Sequence, residues 1–549
     1  MKKILGAVLA VGLAVGMGLS NVPMVLADEI KLNEPGTYPI SEQKIEMTMF
    51  RLAMPNVIDF ENNDFTKFLE EKTGIHWTFQ TAGMDNADTQ VNLAMSSGEL
   101  PDVFMFSTPS VSRYGVKDGQ LLAIEDMIEE NMPNFSAYLK EKPALLARMK
   151  QSDGHIYGLP SINECYHCSF RDKMWVNTKH LEEIGKEMPT TTDELLDVLK
   201  AYKEKYPNGI GIAGSTDGWG QQFTTWLTNA FILDPSTTSG KLLLDENHKI
   251  ISMAMRDEYR EALKFMNKLY QEGFIYEAAL TQNHEAYRTL MNEPGEPVLF
   301  APYGTISDAF DATSNPEAYA AYRVTPPIEG PSGVRIATYF KHDGIAEDKF
   351  VLSKTCKYPE AALRFADYFY SLEGYLSMQY GADKDKDWTF EVGDKKGLNG
   401  EKALYEILNQ YSSDPQNHDW QDVGLNFATS DIRMGAAVSD NVDITKPEGL
   451  ESLLALETKE KCEPYAQKEG GLDLIPPLHL TADEVDKIQV IVEEIDNYIE
   501  NMRIEFITGS MDINSDSDWQ SYLDGFENVG MSENIAIRQA AYDRQNSTK

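Results

Sequence analysis

Cys165-Tyr166-His167-Cys168, inside the stretch GLPSINECYHCSFRDKMWVN (158–177), is the chain's most conspicuous group of reactive side chains. A redox pair of this spacing should open a helix, whose first turn helps to lower a thiol pKa. The residues that follow, SFRDKMWVN, read as strand instead. A structural zinc site needs four ligands, and no second Cys/His pair stands at zinc-finger spacing. That leaves two structural cysteines, free or paired, on a strand. Spacing does not decide whether they bond to each other or to the distant Cys356 and Cys462.

Other motifs carry less. Gly209 to Gly214 spells G-x-G-x-x-G, but a helix precedes it and a turn follows, the reverse of a dinucleotide loop. DKDKDW (383–388) and DINSDSD (512–518) echo calcium loops, yet lack the glycine at the sixth and the glutamate at the twelfth position. They read as solvated acidic loops, and no metal or cofactor is expected. Nucleophile-elbow, zincin and Walker motifs are absent from the sequence. A pair of glycosidase carboxylates has no sequence signature among 87 acids, so that alternative stays open. The aromatic residues say more. Trp219, Tyr303, Tyr339, Phe340, Trp388 and Trp420 stand in short polar or glycine-rich surroundings. Flat rings in loops stack on the C–H faces of sugars, while carboxylates, amides and arginines bind the hydroxyls. As a set they favour a neutral, hydroxyl-rich ligand.

Strands and helices must position these groups. Lys44 to Arg51 partly alternates and reads as a first strand. A helix with Phe65, Phe68 and Leu69 on one face ends at Gly74, and Ile75 to Phe79 alternates again. A helix near Asp88 to Ser96 leads to a short buried strand, Val103 to Phe106. This rhythm is that of an open α/β sheet, whose ligands bind beyond the carboxyl ends of the strands. Phe106, Ser107 and Thr108 are therefore cleft candidates. Thr192 is the expected cap of the helix DELLDVLKAYKEKY. Thr481 is the expected cap of one long amphipathic helix ending at Gly509.

Met1-Lys2-Lys3 followed by an apolar, glycine-rich run and Val25-Leu26-Ala27 is the pattern of a secretory leader, with cleavage expected after Ala27. Losing its two lysines takes the formal charge from -38 to -40. So acidic a body is repelled by nucleic acid and by anionic membrane surfaces. The remaining length predicts two or three lobes.

Ordered along the chain, FLEEKTGIHW (68–77), NLAMSSGELPDVF (92–104), NMPNFSAYL (131–139), DGHIYGLP (153–160) and MWVNTKHLEEIGKEMPTTTDELLDVLKAYKEKYPNG (174–209) resemble the extracellular carbohydrate-binding proteins of bacterial ABC importers. So do ALKFMNKLYQEGFI (262–275) and KYPEAALRFADYFYSLEGYLSMQYG (357–381). The long form is similar to the oligosaccharide-binding lipoproteins of that group, although no cysteine precedes Cys165 to carry a lipid. The resemblance implies a type II periplasmic-binding α/β fold of two interwoven lobes with a helical C-terminal extension. The lobes are expected at 40–162 plus 342–385 and at 163–341 plus 386–549. It puts Glu164 and Tyr166 on a crossover strand near ligand, with the two cysteines close to the hinge. It further implies stacking or ligand contacts at Phe106, Phe223, Tyr303, Tyr339 and Trp388; Ser107, Trp219 and Trp226 are added as ligand candidates.

The expected function is a non-catalytic, exported and monomeric receptor. It closes on an oligosaccharide and delivers it to the permease subunits of an importer. One rival is an exported glycoside hydrolase or lyase. A second is a metal or redox protein centred on Cys165 and Cys168. A third is a peptide receptor of the same fold, for which Arg51, Arg113 and Arg171 would supply charge. Arg51 and Arg171 are also ligand candidates in the main reading.

Overall fold

The computed structural model describes residues 30–53, 57–83, 86–236, 238–293, 297–310, 315–409, 415–438, 443–446, 449–467 and 471–546. The expected leader lies outside them.

Ten strands form two sheets. In chain order they are β1 (Ile45–Ala53), β2 (Ile75–Gly83), β3 (Val103–Met105), β4 (Gly158–Asn163), β5 (Met174–Asn177), β6 (Ile210–Ile212), β7 (Val298–Pro302), β8 (Tyr322–Thr325), β9 (Ile345–Leu352) and β10 (Phe427–Ala428). The first sheet has the order β10-β4-β9-β3-β1-β2 and the second β8-β5-β7-β6. β1, β2 and β3 are parallel, and β9 is antiparallel to both β3 and β4. The carboxyl ends of β1 to β4 therefore share one edge. In the second sheet β6 and β7 are parallel, and β5 begins where β7 ends, with Met174 opposite Pro302.

The chain crosses between the sheets at those edges, from β4 to β5 and back from β8 to β9. The two connections run side by side as a ribbon. Asn163 N–H donates to Gly344 O (2.8 Å) and Phe340 N–H to Ser169 O (2.8 Å). Two linked lobes follow from this topology, because each sheet buries its own core. Ile45, Met47, Phe65, Phe350 and Phe365 belong to the first, and Val176, Leu199, Phe300, Leu263 and Tyr259 to the second.

Local chemistry sets the helix ends. Asn63 accepts from Phe65 N–H to start the helix Asp64–Thr73, which Gly74 closes at φ +76°. A side chain there would bring its Cβ to 2.9 Å of Ser41 O. Thr191 rather than Thr192 caps the helix Thr192–Lys205; its side chain accepts from Glu194 N–H, and Thr192 is buried. Thr481 and Glu484 form a reciprocal capping box on Ala482–Thr508, which ends at Gly509 as the sequence predicts. Two further helices, Asp516–Asn528 and Met531–Asn546, follow. Phe506, Trp519, Tyr522 and Phe526 bury this extension against the second core. Among the described residues no helix is long and apolar enough to cross a membrane.

The segment after residue 385 differs from expectation. Trp388, Tyr405, Trp420, Leu425 and Ile432 pack in the first core, and β10 joins the first sheet. The chain returns to the second lobe only later: Leu453, Leu454 and Cys462 pack beside Trp175 and Tyr303. The aromatic side chains decide this, since their apolar area is removed from water only against the first sheet's helices.

Candidate functional site

The ribbon and both lobes enclose a cavity of about 420 Å³. The first lobe contributes Arg148, Ile345 and Ser430. The ribbon contributes Glu164, Tyr166, Ser169, Phe170, Tyr339, Lys341, His342 and Gly344, and the 463–466 segment contributes Glu463 and Ala466. Its aromatic wall is Tyr339, stacked on Phe170 with centroids 5.0 Å apart and planes 19° apart. Tyr339 keeps 37% of its surface exposed. Its backbone is clamped by one side chain: Tyr339 N–H donates to Gln467 Oε1 (2.7 Å), and Gln467 Nε2 donates back to Tyr339 O (2.8 Å).

The charged groups around this wall are already engaged. Glu164 Oε2 accepts from Ser430 N–H (2.8 Å), and Tyr166 OH donates to Glu463 Oε2 (2.8 Å). Lys341 pairs with Asp473, and Arg148 with Glu347. Arg148 Nη2 also donates to Ile345 O (3.0 Å). Burial, reinforced by Lys341 and Arg148, lowers the His342 pKa to about 4, so this ring is neutral near pH 7. The cavity offers oriented hydroxyl, carboxylate and carbonyl groups beside a flat ring. Its cations are each matched by an anion or carbonyl, which suits a neutral polyhydroxylated ligand better than an anion.

Tyr166 and His167 ride on a loop closed by a Cys165–Cys168 disulfide. The sequence left that pairing open; a 3₁₀ turn at His167–Phe170 takes the start of the expected strand, which forms only at Met174–Asn177. The His167 ring meets Trp219 edge-on at 6.0 Å. Below the loop Lys173 Nζ donates to His167 O (2.7 Å), Phe170 O (2.7 Å) and Gly304 O (3.3 Å). Closing so short a loop restricts the unfolded chain little, contributing about 2 kcal/mol. Its larger effect is to fix the ring of Tyr166. We expect Cys165→Ser/Cys168→Ser to lower the melting temperature by only a few degrees. Ligand affinity should fall severalfold, as read by titration calorimetry beside a thermal melt.

Two further candidates sit on the lobe edges. Phe106 follows β3 at φ +66°, with Lys349 Nζ 5.2 Å from its ring centroid; Ser107, beside it, is mostly buried. Trp219 is half-buried with its ring against Gly304, where a Cβ would come within 2.0 Å of the ring. Arg171 faces Phe340 (4.0 Å to the ring centroid) and pairs with Asp343 at 3.2 Å. Arg113 lies over Tyr114, its guanidinium 5.0 Å from that ring's centroid, away from the cavity lining.

Five candidates are corrected by burial. Arg51 is fully buried between Phe60 (3.6 Å) and Trp420 (4.1 Å), with Nη2 donating to Val423 O. Tyr303 is buried face to face with Tyr287 at 4.6 Å. Phe223 and Trp226 lie on the helix Phe223–Thr228, every residue of which is buried. Trp388 is buried in the first core and donates its indole N–H to Gly381 O. Polar sequence neighbours did not signal exposure: Thr224 and Thr225 beside Phe223 and Trp226, and Asp387 and Thr389 beside Trp388, are themselves buried. Conversely, the sequence reading missed Phe170, Lys341, His342, Arg148, Ser430 and Glu463. Phe170 carried a signal, being an aromatic residue two positions beyond the second cysteine; Glu463 meets Tyr166 across 297 residues and carried none.

Asp348 sits in the β9 bulge at φ +53°. Burial, with Glu347 close by, raises its pKa to about 7 against Lys349's opposing effect. Its folded pKa is above the unfolded value, so its contribution to stability is present below about pH 4 and is lost as pH rises through 7. Asp348→Asn, which also tolerates positive φ, should raise stability by on the order of 1–3 kcal/mol at pH 8. It should leave stability at pH 4 unchanged, as checked by urea melts at both values.

A family model for bacterial extracellular solute-binding proteins matches residues 55–376. The fructooligosaccharide ABC transporter substrate-binding protein FusA of Streptococcus pneumoniae serotype 4 is 29% identical over 532 residues, 93% of each chain. Lipoprotein LipO of Bacillus subtilis is 25% identical over 362 residues, 62% of this chain and 67% of that protein. Among solved structures, FusA in complex with kestose aligns at TM-score 0.71 and 24% identity, covering 92% of this chain and 100% of that one. An extracellular solute-binding protein from Bifidobacterium longum subsp. infantis aligns at TM-score 0.72 and 20% identity, covering 91% and 98%.

Proposed function

The chain belongs to the bacterial extracellular solute-binding protein family, and from that premise we propose a receptor that captures a neutral oligosaccharide between its lobes for an ABC importer. Its fold is the type II periplasmic-binding arrangement of its structural neighbours, with a helical C-terminal region. The observation that carries the ligand class is the Tyr339–Phe170 stack in a cavity whose charges are matched internally. The similarity to the fructooligosaccharide-binding protein FusA supports it.

In this reading a sugar ring lies on the open face of Tyr339 and loses apolar contact with water, worth about 25 cal/mol per Å². Glu164, Tyr166 and Ser169 meet its hydroxyls. The lobes then close about the ribbon. The moving bodies are 40–162 with 345–438, and 174–325 with 449–546. The closed monomer presents its surface to the permease, and no bond in the sugar is made or broken. Residues 1–27 serve as the export leader.

The test is a thermal-shift screen against neutral glycans, uronate oligomers and short peptides, followed by chromatography of the recovered ligand. A neutral glycan should stabilise the protein, by about 2.7 kcal/mol at a hundredfold excess over Kd, and return intact. Stabilisation by uronates or peptides alone would refute the ligand class. Shortened sugars would make the protein an enzyme.

A further inference from the structure

A second cavity, about 910 Å³, lies on the flank of the second lobe, outside the hinge cavity. We infer that it is an outer subsite for the far end of the same oligosaccharide, with Tyr465 as its stacking platform; the inference rests on the reading above.

Tyr465 is a half-buried ring beside Arg335 on the cavity wall. The Arg335 guanidinium lies 4.0 Å from its centroid and is itself tied to Pro327 O. The backbone is fixed as well, since Ala337 N–H donates to Tyr465 O (2.7 Å). A ring held this rigidly loses little entropy when a second flat surface covers it. The cavity floor is apolar, from Phe231, Leu233 and Leu472, and Glu258 and Glu329 stand at its rim. An apolar floor, one aromatic wall and a few carboxylates make a small-molecule site of ordinary size. Two glutamates against one arginine in the lining leave the site disfavouring an anion.

The same pair of segments walls both cavities. Ala337 and Ala466 pair as neighbouring backbone, and Ala466 lines both spaces. Gln467, which lines the flank cavity, is the residue that clamps the Tyr339 backbone. The two cavities thus share the wall at Ala466, which places Tyr465 next along that wall from the hinge site. This favours the outer residues of one bound glycan over a second, unrelated ligand.

The experiment is titration calorimetry of wild type, Tyr465→Ala, Tyr465→Phe and Tyr339→Ala with inulin-type fructan and maltodextrin ladders, each from the trisaccharide upward. In wild type, affinity for the ladder that binds should rise with chain length. Tyr465→Ala should lose about tenfold for the longest members and little for the trisaccharide. Tyr465→Phe, which keeps the ring, should restore the rise, and Tyr339→Ala should weaken every length. A flat length dependence in wild type would overturn the outer subsite and leave the hinge site standing, as would Tyr465→Ala behaving as wild type. Equal loss at all lengths in Tyr465→Ala would overturn it too, by making Tyr465 a general support of the protein. If neither ladder binds wild type, the outer site fails, and the glycan screen above then decides separately whether the receptor reading survives.

Discussion

Tyr339→Ala should weaken oligosaccharide binding by about tenfold or more, roughly 1.4 kcal/mol for each factor of ten, while leaving the melting temperature nearly unchanged. Tyr339 is among the exposed large side chains, so truncating it removes little core area. Its main chain is held by Gln467 whatever the side chain. What disappears is the face on which a sugar would rest, while Phe170 behind it is mostly buried and oriented for packing. Tyr339→Phe should retain most of the affinity, because the ring contributes more than the hydroxyl. Calorimetry on the three proteins checks this. Unchanged affinity in Tyr339→Ala would move the ligand off this wall.

Trp420→Ala should have the opposite profile, with a large loss of stability. The ring is fully buried and donates its indole N–H to Thr66 Oγ1 (2.9 Å). Phe65 meets it edge-on at 5.2 Å, Phe369 stacks on it at 5.9 Å, and the buried Arg51 guanidinium lies 4.1 Å from its centroid. Truncating a buried aromatic costs about 3–5 kcal/mol. Arg51 would lose one of the rings that enclose its charge, which adds to the cost. Denaturant unfolding followed by near-ultraviolet dichroism should show the first lobe melting early. Wild-type stability would mean that residues 386–438 do not belong to that lobe's core.

These two residues mark how far the sequence could be read. Trp420 stands in the more polar stretch, NHDWQD, yet is core, while Tyr339 in IATYFKHDG lines the cavity; Asp419 and Gln421 beside Trp420 are buried with it. A ring's fate depends on which element packs over it. For Trp420 that element is Asp64–Thr73, some 350 positions earlier. Several strands and the long helix with its Thr481 cap were legible, because period and caps are local signals; the crossover at Glu164 and Tyr166 came only through the family resemblance. The placement of Glu164, Tyr166 and Tyr339 on one cavity came through the family resemblance. Phe170, Arg148 and Glu463 joined them only through pairing across the fold. The closeness of Cys165 and Cys168 was legible, but not the bond between them.

The most direct measurement is a crystal structure of the protein grown with the glycan that stabilises it best. The account predicts an intact oligosaccharide with one ring flat on Tyr339 and hydroxyls bonded to the Glu164–Ser169 ribbon. A glycan seated away from the ribbon, or cleaved between two facing carboxylates, would contradict it.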